Sequence, residues 1–334
     1  MAIAASGQVS LNDIQTEFTN AGDGVNPIQL SEYYDVDDGV PSSGMIAVSD
    51  FHGTEQQVGW ASAESGTRAR RGVHGMGNSQ SGLVAGGYDT DYRAYADSHN
   101  GTSFSTETNM SGTKFDGWYA GGGGGTSEGA CITICGYRYA EDCEEWNGSS
   151  WSSGGNVTWG VTSVQGNGNS NGTQTDCAKL GGEAGGTGLI KLEVYNGTSF
   201  STETDLTTGV SRGGLIGAGH DDLLNVSGYW GGSYSTSCNS YDGTSWSSEG
   251  AIPTQGRQAL GLFGESSNAY MVGGYNTHDA YATYKYNGTS WSDNSTDTTV
   301  ERVGAGTYGA GTSGFNTHGN DPNVYTSENF VEAA

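Results

Sequence analysis

Short apolar runs alternate with polar, glycine-rich segments along most of the chain, and one polar segment recurs five times. Each copy has a ring side chain, Asn or Asp, Gly, Thr or Ser, Ser, and a second ring side chain. The central glycines are Gly101, Gly148, Gly197, Gly243 and Gly288. Asn-Gly or Asp-Gly between ring side chains predicts a β-hairpin with a two-residue type I′ turn. Four intervals separate Gly101 from Gly288, so the repeat averages about 47 residues.

A short apolar run that ends in glycine precedes each copy, which predicts a strand where neighbouring backbones approach closely. The glycines that end these runs are Gly86–Gly87, Gly136, Gly181–Gly182, Gly231–Gly232 and Gly273–Gly274.

A cation follows the second ring side chain of most copies by 10 to 12 positions. These cations are Lys114, Arg212, Arg257 and Arg302, and Arg71 follows Trp60 in the same way. Such cations can line a binding channel, or they can pair with carboxylates or carbonyls between repeats. We favour the second interpretation, because a recurring arginine more often pairs with such groups.

A unit of about 47 residues with four short strands is typical of a β-propeller blade. Residues 58–334 hold six such units, each marked by one aromatic residue. These markers are Trp60, Phe104, Trp151, Phe200, Trp246 and Trp291. Trp60 carries only the second half of the recurring segment, and the C-terminal stretch from Phe315 to Phe330 parallels the stretch from Tyr275 to Trp291. We therefore predict that both termini share the last blade, with the N-terminal strand outermost.

The order of Gly-Gly, Tyr and Trp within one repeat resembles the kelch family of β-propellers over about residues 58–334. The resemblance implies an all-β, six-bladed, kelch-like propeller. The lone Gly136 departs from the family's glycine pair.

Residues 1–57 do not follow this repeat and predict a small N-terminal attachment module. A shorter repeat, with spacings of 18 and 19, places apolar residues at Leu11, Ile14, Leu30, Tyr33, Val48 and Phe51. Ser or Asn ahead of an acid in each copy predicts a helix N-cap. A module this small is not expected to be stable alone, so we expect it to dock on another protein.

The segments SLNDIQTEF, NPIQLSEYY and VPSSGMIAVSDFHG resemble N-terminal segments of tailed-bacteriophage virion proteins, particularly fibre-like and appendage proteins. In that family such a segment joins a variable distal domain to the particle. The resemblance implies a non-enzymatic virion structural protein, assembled in the host cytoplasm. Residues 1–57 would then bind other virion proteins, and the propeller would face a host-surface glycan or protein. Two alternatives stay open: a capsid or tail decoration or adaptor protein, and a propeller lectin or glycan-acting enzyme.

The net charge and the composition limit the kinds of partner that the chain can bind. Twelve Lys and Arg against 37 Asp and Glu give a net charge of −25, which disfavours nucleic acid and anionic membrane surfaces. The 59 glycines fit tight turns, while 19 Tyr, 8 Trp and 8 Phe oppose disorder. No apolar run is long enough for a membrane span, and the first residues predict no secretory signal.

Catalytic and metal-binding patterns are absent from the sequence. The chain has no HExxH and no CxxC motif. Its five cysteines are expected to be small buried hydrophobic residues, and Asp35–Gly39 lacks the closing Glu of a calcium loop. We therefore expect no cofactor or metal, although a carboxylate pair for glycoside hydrolysis stays open among the 37 acids.

Overall fold

The chain forms a six-bladed β-propeller, so the predicted fold class is confirmed. The computed structural model describes residues 59–111, 122–134, 141–160, 165–166, 172–184, 187–253, 255–276, 281–319 and 326–332. These residues form six antiparallel four-stranded sheets and one two-stranded ribbon, with no helix in the described ranges.

The first three blades follow each other along the chain after β1 (Gly59–Ala63). Blade one contains β2 (His74–Asn78), β3 (Ser81–Ala85), β4 (Ala96–His99) and β5 (Phe104–Thr106). Blade two contains β6 (Gly122–Ser127), β7 (Ala130–Ile134), β8 (Cys143–Trp146) and β9 (Trp151–Ser153). Blade three contains β10 (Gln165–Gly166), β11 (Cys177–Leu180), the ribbon β12 (Glu183–Ala184) and β13 (Thr187–Gly188), then β14 (Leu192–Tyr195) and β15 (Phe200–Thr202).

The last three blades complete the ring. Blade four contains β16 (Gly214–Gly219), β17 (Asp222–Trp230), β18 (Ser233–Tyr241) and β19 (Trp246–Ser248). Blade five contains β20 (Gly261–Glu265), β21 (Asn268–Val272), β22 (Thr283–Tyr286) and β23 (Trp291–Asp293). Blade six contains β24 (Gly306–Ala310), β25 (Ser313–Thr317) and β26 (Ser327–Val331), with β1 added outside β26. The predicted sharing of one blade by both ends of the propeller is thus confirmed.

A separate hydrophobic cluster lies between each pair of neighbouring blades. Between blades five and six, for example, Phe263 and Tyr270 pack against Phe330 and Trp60. The predicted marker residues lie in the outermost strands. Each packs in a tilted arrangement against the last ring side chain of the third strand or its equivalent. These pairs are His99–Phe104, Trp146–Trp151, Tyr195–Phe200, Tyr241–Trp246, Tyr286–Trp291 and Phe330–Trp60. Burial of aromatic area at every blade therefore stabilises the ring.

The first strands of neighbouring blades contact one another, and backbone hydrogen bonds join the residues that lead into them. Gly72 donates its N–H to the carbonyl of Gly304, Gly304 donates to Ala259, and Ala259 donates to Arg212. All four residues have positive φ, between 53° and 64°. Three hydrogen bonds between residues of one backbone conformation thus link four of the six blades.

Two sequence interpretations are wrong in detail. The recurring hairpins have four-residue loops, because His99 pairs with Phe104 across Asn100–Ser103. Only the glycine of each loop has positive φ, so these are not two-residue type I′ turns. Gly231–Gly232 is the tip of the long β17–β18 hairpin, and Ser227–Gly228 takes the place of the blade's glycine pair.

Candidate recognition face

The two ends of the propeller differ in how the chain turns. At one end, tight turns join the first strand to the second and the third to the fourth, and we call this the hairpin end. At the other end lie the second-to-third loops and the blade-to-blade loops, and we call this the connector end. The division follows from antiparallel pairing in every blade.

The hairpin end is polar and is built on the recurring loops. Gly101, Gly148, Gly197, Gly243 and Gly288 all have φ between 85° and 90°. The Asn or Asp before each glycine accepts hydrogen bonds from the backbone N–H groups two and three residues later. An acceptor oxygen at this position closes the loop, which explains why Asp242 replaces Asn. Hydrogen bonds from Thr244 and Ser245 lower the pKa of Asp242 to about 2.

The connector end carries every exposed large hydrophobic side chain of the described ranges. These are Trp159, Trp230, Tyr275 and Tyr281, which are 36% to 46% exposed. Trp159 lies between blades two and three, Trp230 lies in blade four, and both tyrosines lie in the β21–β22 loop. Large exposed aromatic side chains confined to one end are typical of a contact surface.

An extension of blade four contributes most to this surface. Strands β17 and β18 have nine residues each, whereas second and third strands elsewhere have four or five. A bulge between Val226 and Gly228 shifts their register before the extension. The extension places Tyr229 against Tyr234 at 5.3 Å between ring centroids, and Tyr234 lies 6.5 Å from Tyr275 of blade five. Aromatic side chains thus run from blade four to blade five.

A groove of about 210 Å³ lies between this extension and the loop that leads from blade three to blade four. Trp230 and Tyr234 form its aromatic part. Its polar side chains belong to Thr207, Thr208, Ser233, Ser235, Ser237 and Asn239. Neither an acid nor a cation lines the groove.

The recurring cations have a structural role where the structure describes them. The side chains of Arg70, Arg257 and Arg302 are buried, and each donates from Nη1 to the first residue of a positive-φ pair, the acceptors being Gly86, Gly273 and His318. Arg70 therefore holds the position predicted for Arg71, and Val210 holds the one predicted for Arg212. Burial lowers the pKa of Arg70 to about 10 despite its pairing with Asp97, and burial also lowers the pKa of Arg302.

The partly exposed cations of the connector end lie over aromatic rings. The guanidinium of Arg71 lies 5.0 Å from the ring centroid of Tyr88, and that of Arg212 lies 5.4 Å from Tyr229. Arg212 also binds Glu183 at 2.7 Å, which confirms pairing between repeats. Eight of the ten cations in the described ranges lie in connector loops, and the described hairpin turns contain none. The cations of the described ranges are therefore concentrated at the connector end.

Buried acids in the third strands were missed by sequence analysis. They stand two residues before the last ring side chain, at Asp97, Glu144, Glu193 and Glu328. Three of them accept a hydrogen bond from a backbone N–H of the loop leading into their blade, at Ser111, Thr158 and Thr299. Their fixed distance from the recurring segment is the signal that could have identified them. Asn239 holds this place in blade four and Tyr284 holds it in blade five.

The buried titratable groups give no catalytic arrangement among the described residues. Among the described residues, Cys131, Cys143, Cys177 and Cys238 are buried thiols outside any disulfide, as expected of small hydrophobic residues. Burial raises the pKa of Cys131 and Cys177, and raises that of Cys238 to about 12. Within the described ranges, no group of three or more His, Cys, Asp and Glu side chains could hold a metal ion.

Several predicted residues lie outside the described residues. They are the attachment residues Leu11, Ile14, Leu30, Tyr33, Val48 and Phe51, together with Lys114, Cys135 and Gly136.

The chain matches no protein-family model, and none of the curated proteins matches it in sequence. A search of the described residues finds no helix with the length and apolar character of a membrane span.

Proposed function

We propose that the chain is a non-enzymatic structural protein of a tailed-bacteriophage particle, a tail fibre or appendage component whose connector end meets the host surface. The proposal rests mainly on the exposure of four large aromatic side chains at this end, which are Trp159, Trp230, Tyr275 and Tyr281. Aromatic side chains of this kind dominate binding energy at recognition surfaces because they bury a large area with few rotatable bonds.

The proposal gives residues 1–57 the attachment role and the propeller the recognition role. Support for attachment comes from the resemblance of that segment to virion proteins and from the change of repeat length near residue 57. Support for a protein or glycan partner comes from the net charge of −25, which repels nucleic acid.

Locating the chain in purified particles tests the virion role. We expect mass spectrometry to find it at a fixed copy number, and antibodies against the propeller to label intact particles. Absence from purified particles would overturn the virion role. Incorporation of a chain that lacks residues 1–57 would overturn the attachment role.

Adsorption of particles to host cells tests the recognition role. Substituting Tyr275→Ser and Tyr281→Ser together should slow adsorption by about tenfold, as expected when exposed aromatic contacts are lost. Thr289→Ala in a hairpin-end loop is the matched control and should adsorb normally. Normal adsorption of particles that lack the whole propeller would favour the decoration or adaptor alternative.

A further inference from the structure

We propose that the groove between blades three and four binds one neutral sugar ring, which stacks on Trp230. The inference rests on the proposed function for the source of the sugar, a host-surface glycan. The binding itself is a property of the isolated chain and is tested separately.

Trp230 is held as a preformed stacking platform. A Cβ atom on Gly188 would lie 2.3 Å from Cε3 of Trp230, and one on Gly209 would lie 3.1 Å from Cζ3. The indole therefore rests against two glycine backbones, and only residues without a side chain permit this contact. Because 36% of Trp230 stays exposed, part of the ring remains open to a ligand. The C–H groups on one face of a sugar ring pack on such a surface through dispersion and loss of water.

The polar part of the groove offers neutral hydrogen-bonding groups. In the described part of the chain, the side chains of Thr208, Ser233, Ser237 and Asn239 make no hydrogen bond with protein groups. Hydroxyl and amide groups both donate and accept hydrogen bonds, as sugar hydroxyls do. A ring with an apolar face and a polar edge fits this combination of one indole and several neutral polar groups.

Asn239 explains why the groove is open. In blades two, three and six, the equivalent glutamate fills this space and accepts the N–H of Ser111, Thr158 or Thr299. In blade four the shorter, neutral Asn239 replaces the acid, and Thr207 is the matching loop residue. The N–H of Thr207 makes no hydrogen bond within the described part of the chain. The ligand's hydroxyl thus occupies the place that a buried glutamate oxygen holds elsewhere in the ring.

The charge and the volume of the groove limit the class of ligand further. No acid or cation lines the groove, in a chain whose net charge is −25. A sugar acid would gain no cation and would meet a repulsive field, so a neutral sugar is favoured. A volume of about 210 Å³ is below the usual range for drug-sized ligands, which fits one ring better than several.

Titration of the isolated full-length chain with neutral oligosaccharides of glucose, galactose or N-acetylglucosamine tests the proposal by calorimetry and saturation-transfer NMR. We expect one of the three series to bind with an affinity that added salt does not change, and an oligosaccharide of uronic acids to bind at least about tenfold more weakly. Trp230→Ala should weaken binding by at least about tenfold. Thr289→Ala, in a hairpin-end loop outside the groove, should change it by less than about twofold.

A second variant keeps the test valid if Trp230→Ala fails to fold. Asn239→Glu introduces the acid that blades one, two, three and six carry at this place. It removes no packed group and should abolish sugar binding in a chain that still unfolds cooperatively. The proposal is overturned if none of the three series binds, or if Asn239→Glu binds sugar as the unchanged chain does. The virion role is tested independently of sugar binding, because absence of the chain from purified particles would overturn that role alone.

Discussion

Arg302 and Glu328 form an ion pair at 3.4 Å inside blade six, and both side chains are about 1% exposed. The guanidinium also donates to the carbonyls of His318 and Thr326. One buried cation thus ties the loop before β24, the end of β25 and the start of β26 into the blade that closes the ring.

Removing Arg302 should therefore be costly. We expect Arg302→Ala to lower the free energy of unfolding by about 3–5 kcal/mol, because Glu328 is left buried without its cation. Urea unfolding at constant m value measures the loss. The matched control is Lys191→Ala, whose pair with Asp205 is about one third exposed; it should cost at most about 1 kcal/mol. Equal losses in the two variants would contradict a special role for the buried pair.

His99 should make the propeller sensitive to mild acid. It is buried between Phe104 and Phe315, and burial lowers its pKa to about 4. Between pH 6.5 and 4, the imidazole of His99 binds a proton in the unfolded chain but stays neutral in the folded chain. The free energy of unfolding therefore decreases as the pH falls below about 6.5. The loss reaches about 3 kcal/mol near pH 4.

Substituting His99→Phe tests this effect, because Phe330 holds the same place in blade six. Neither ring nitrogen of His99 has a hydrogen-bond partner in the described part of the chain, so the variant should be about 1 kcal/mol more stable at pH 7. Its advantage should grow as the pH falls to 4, measured by denaturant unfolding at each pH. An advantage that stays constant between pH 7 and 4 would show that His99 does not resist protonation.

At the glycine of a recurring loop, a β-branched residue should lower the free energy of unfolding more than asparagine does. Gly288 has a φ of 85°, where a β-branched side chain is strongly disfavoured and Asn is better tolerated. We expect Gly288→Val to lose at least about 1 kcal/mol more than Gly288→Asn. Both side chains would meet the carbonyl of Ser267, so the difference in unfolding free energy isolates the backbone effect. Equal stability would mean that the loop readily adopts negative φ.

Deleting residues 320–334 should prevent cooperative folding. The deletion removes β26, which lies between β25 and β1, so β1 loses its neighbour and β25 gains an open edge. Deleting only residues 333–334, which follow β26, is the control and should be harmless. Circular dichroism and size-exclusion chromatography compare the two, and a cooperative unfolding transition in the longer deletion would contradict ring closure through β26.

The sequence predicted the blades well because each blade repeats the same local chemistry. Six ring side chains, spaced 44 to 49 residues apart, locate the outermost strands from Trp60 to Trp291. The loop type was wrong because turn length depends on where the pairing ends, and Asn-Gly is compatible with both loops. The pair Gly231–Gly232 was misassigned because two glycines look alike in a sequence whether they end a strand or form a hairpin tip.

The groove could not be predicted for a related reason. Its features are departures from the repeat, namely the longer β17–β18 hairpin and Asn239 in place of an acid, and a repeat analysis discounts departures. The buried acids were overlooked because a charged residue in an alternating strand usually faces water. Their burial depends on hydrogen bonds from loop residues that come more than 25 residues earlier in the chain.

The pairing of β1 with β26 makes the propeller cyclic in space, although the chain is linear. Once the two ends of the propeller are neighbours, the order in which the blades are synthesised no longer determines which blades touch. A circular permutant that joins these ends and opens at a hairpin-end loop should keep all six interfaces between blades. Gene rearrangement could therefore move the starting blade while the groove and its surroundings stay intact.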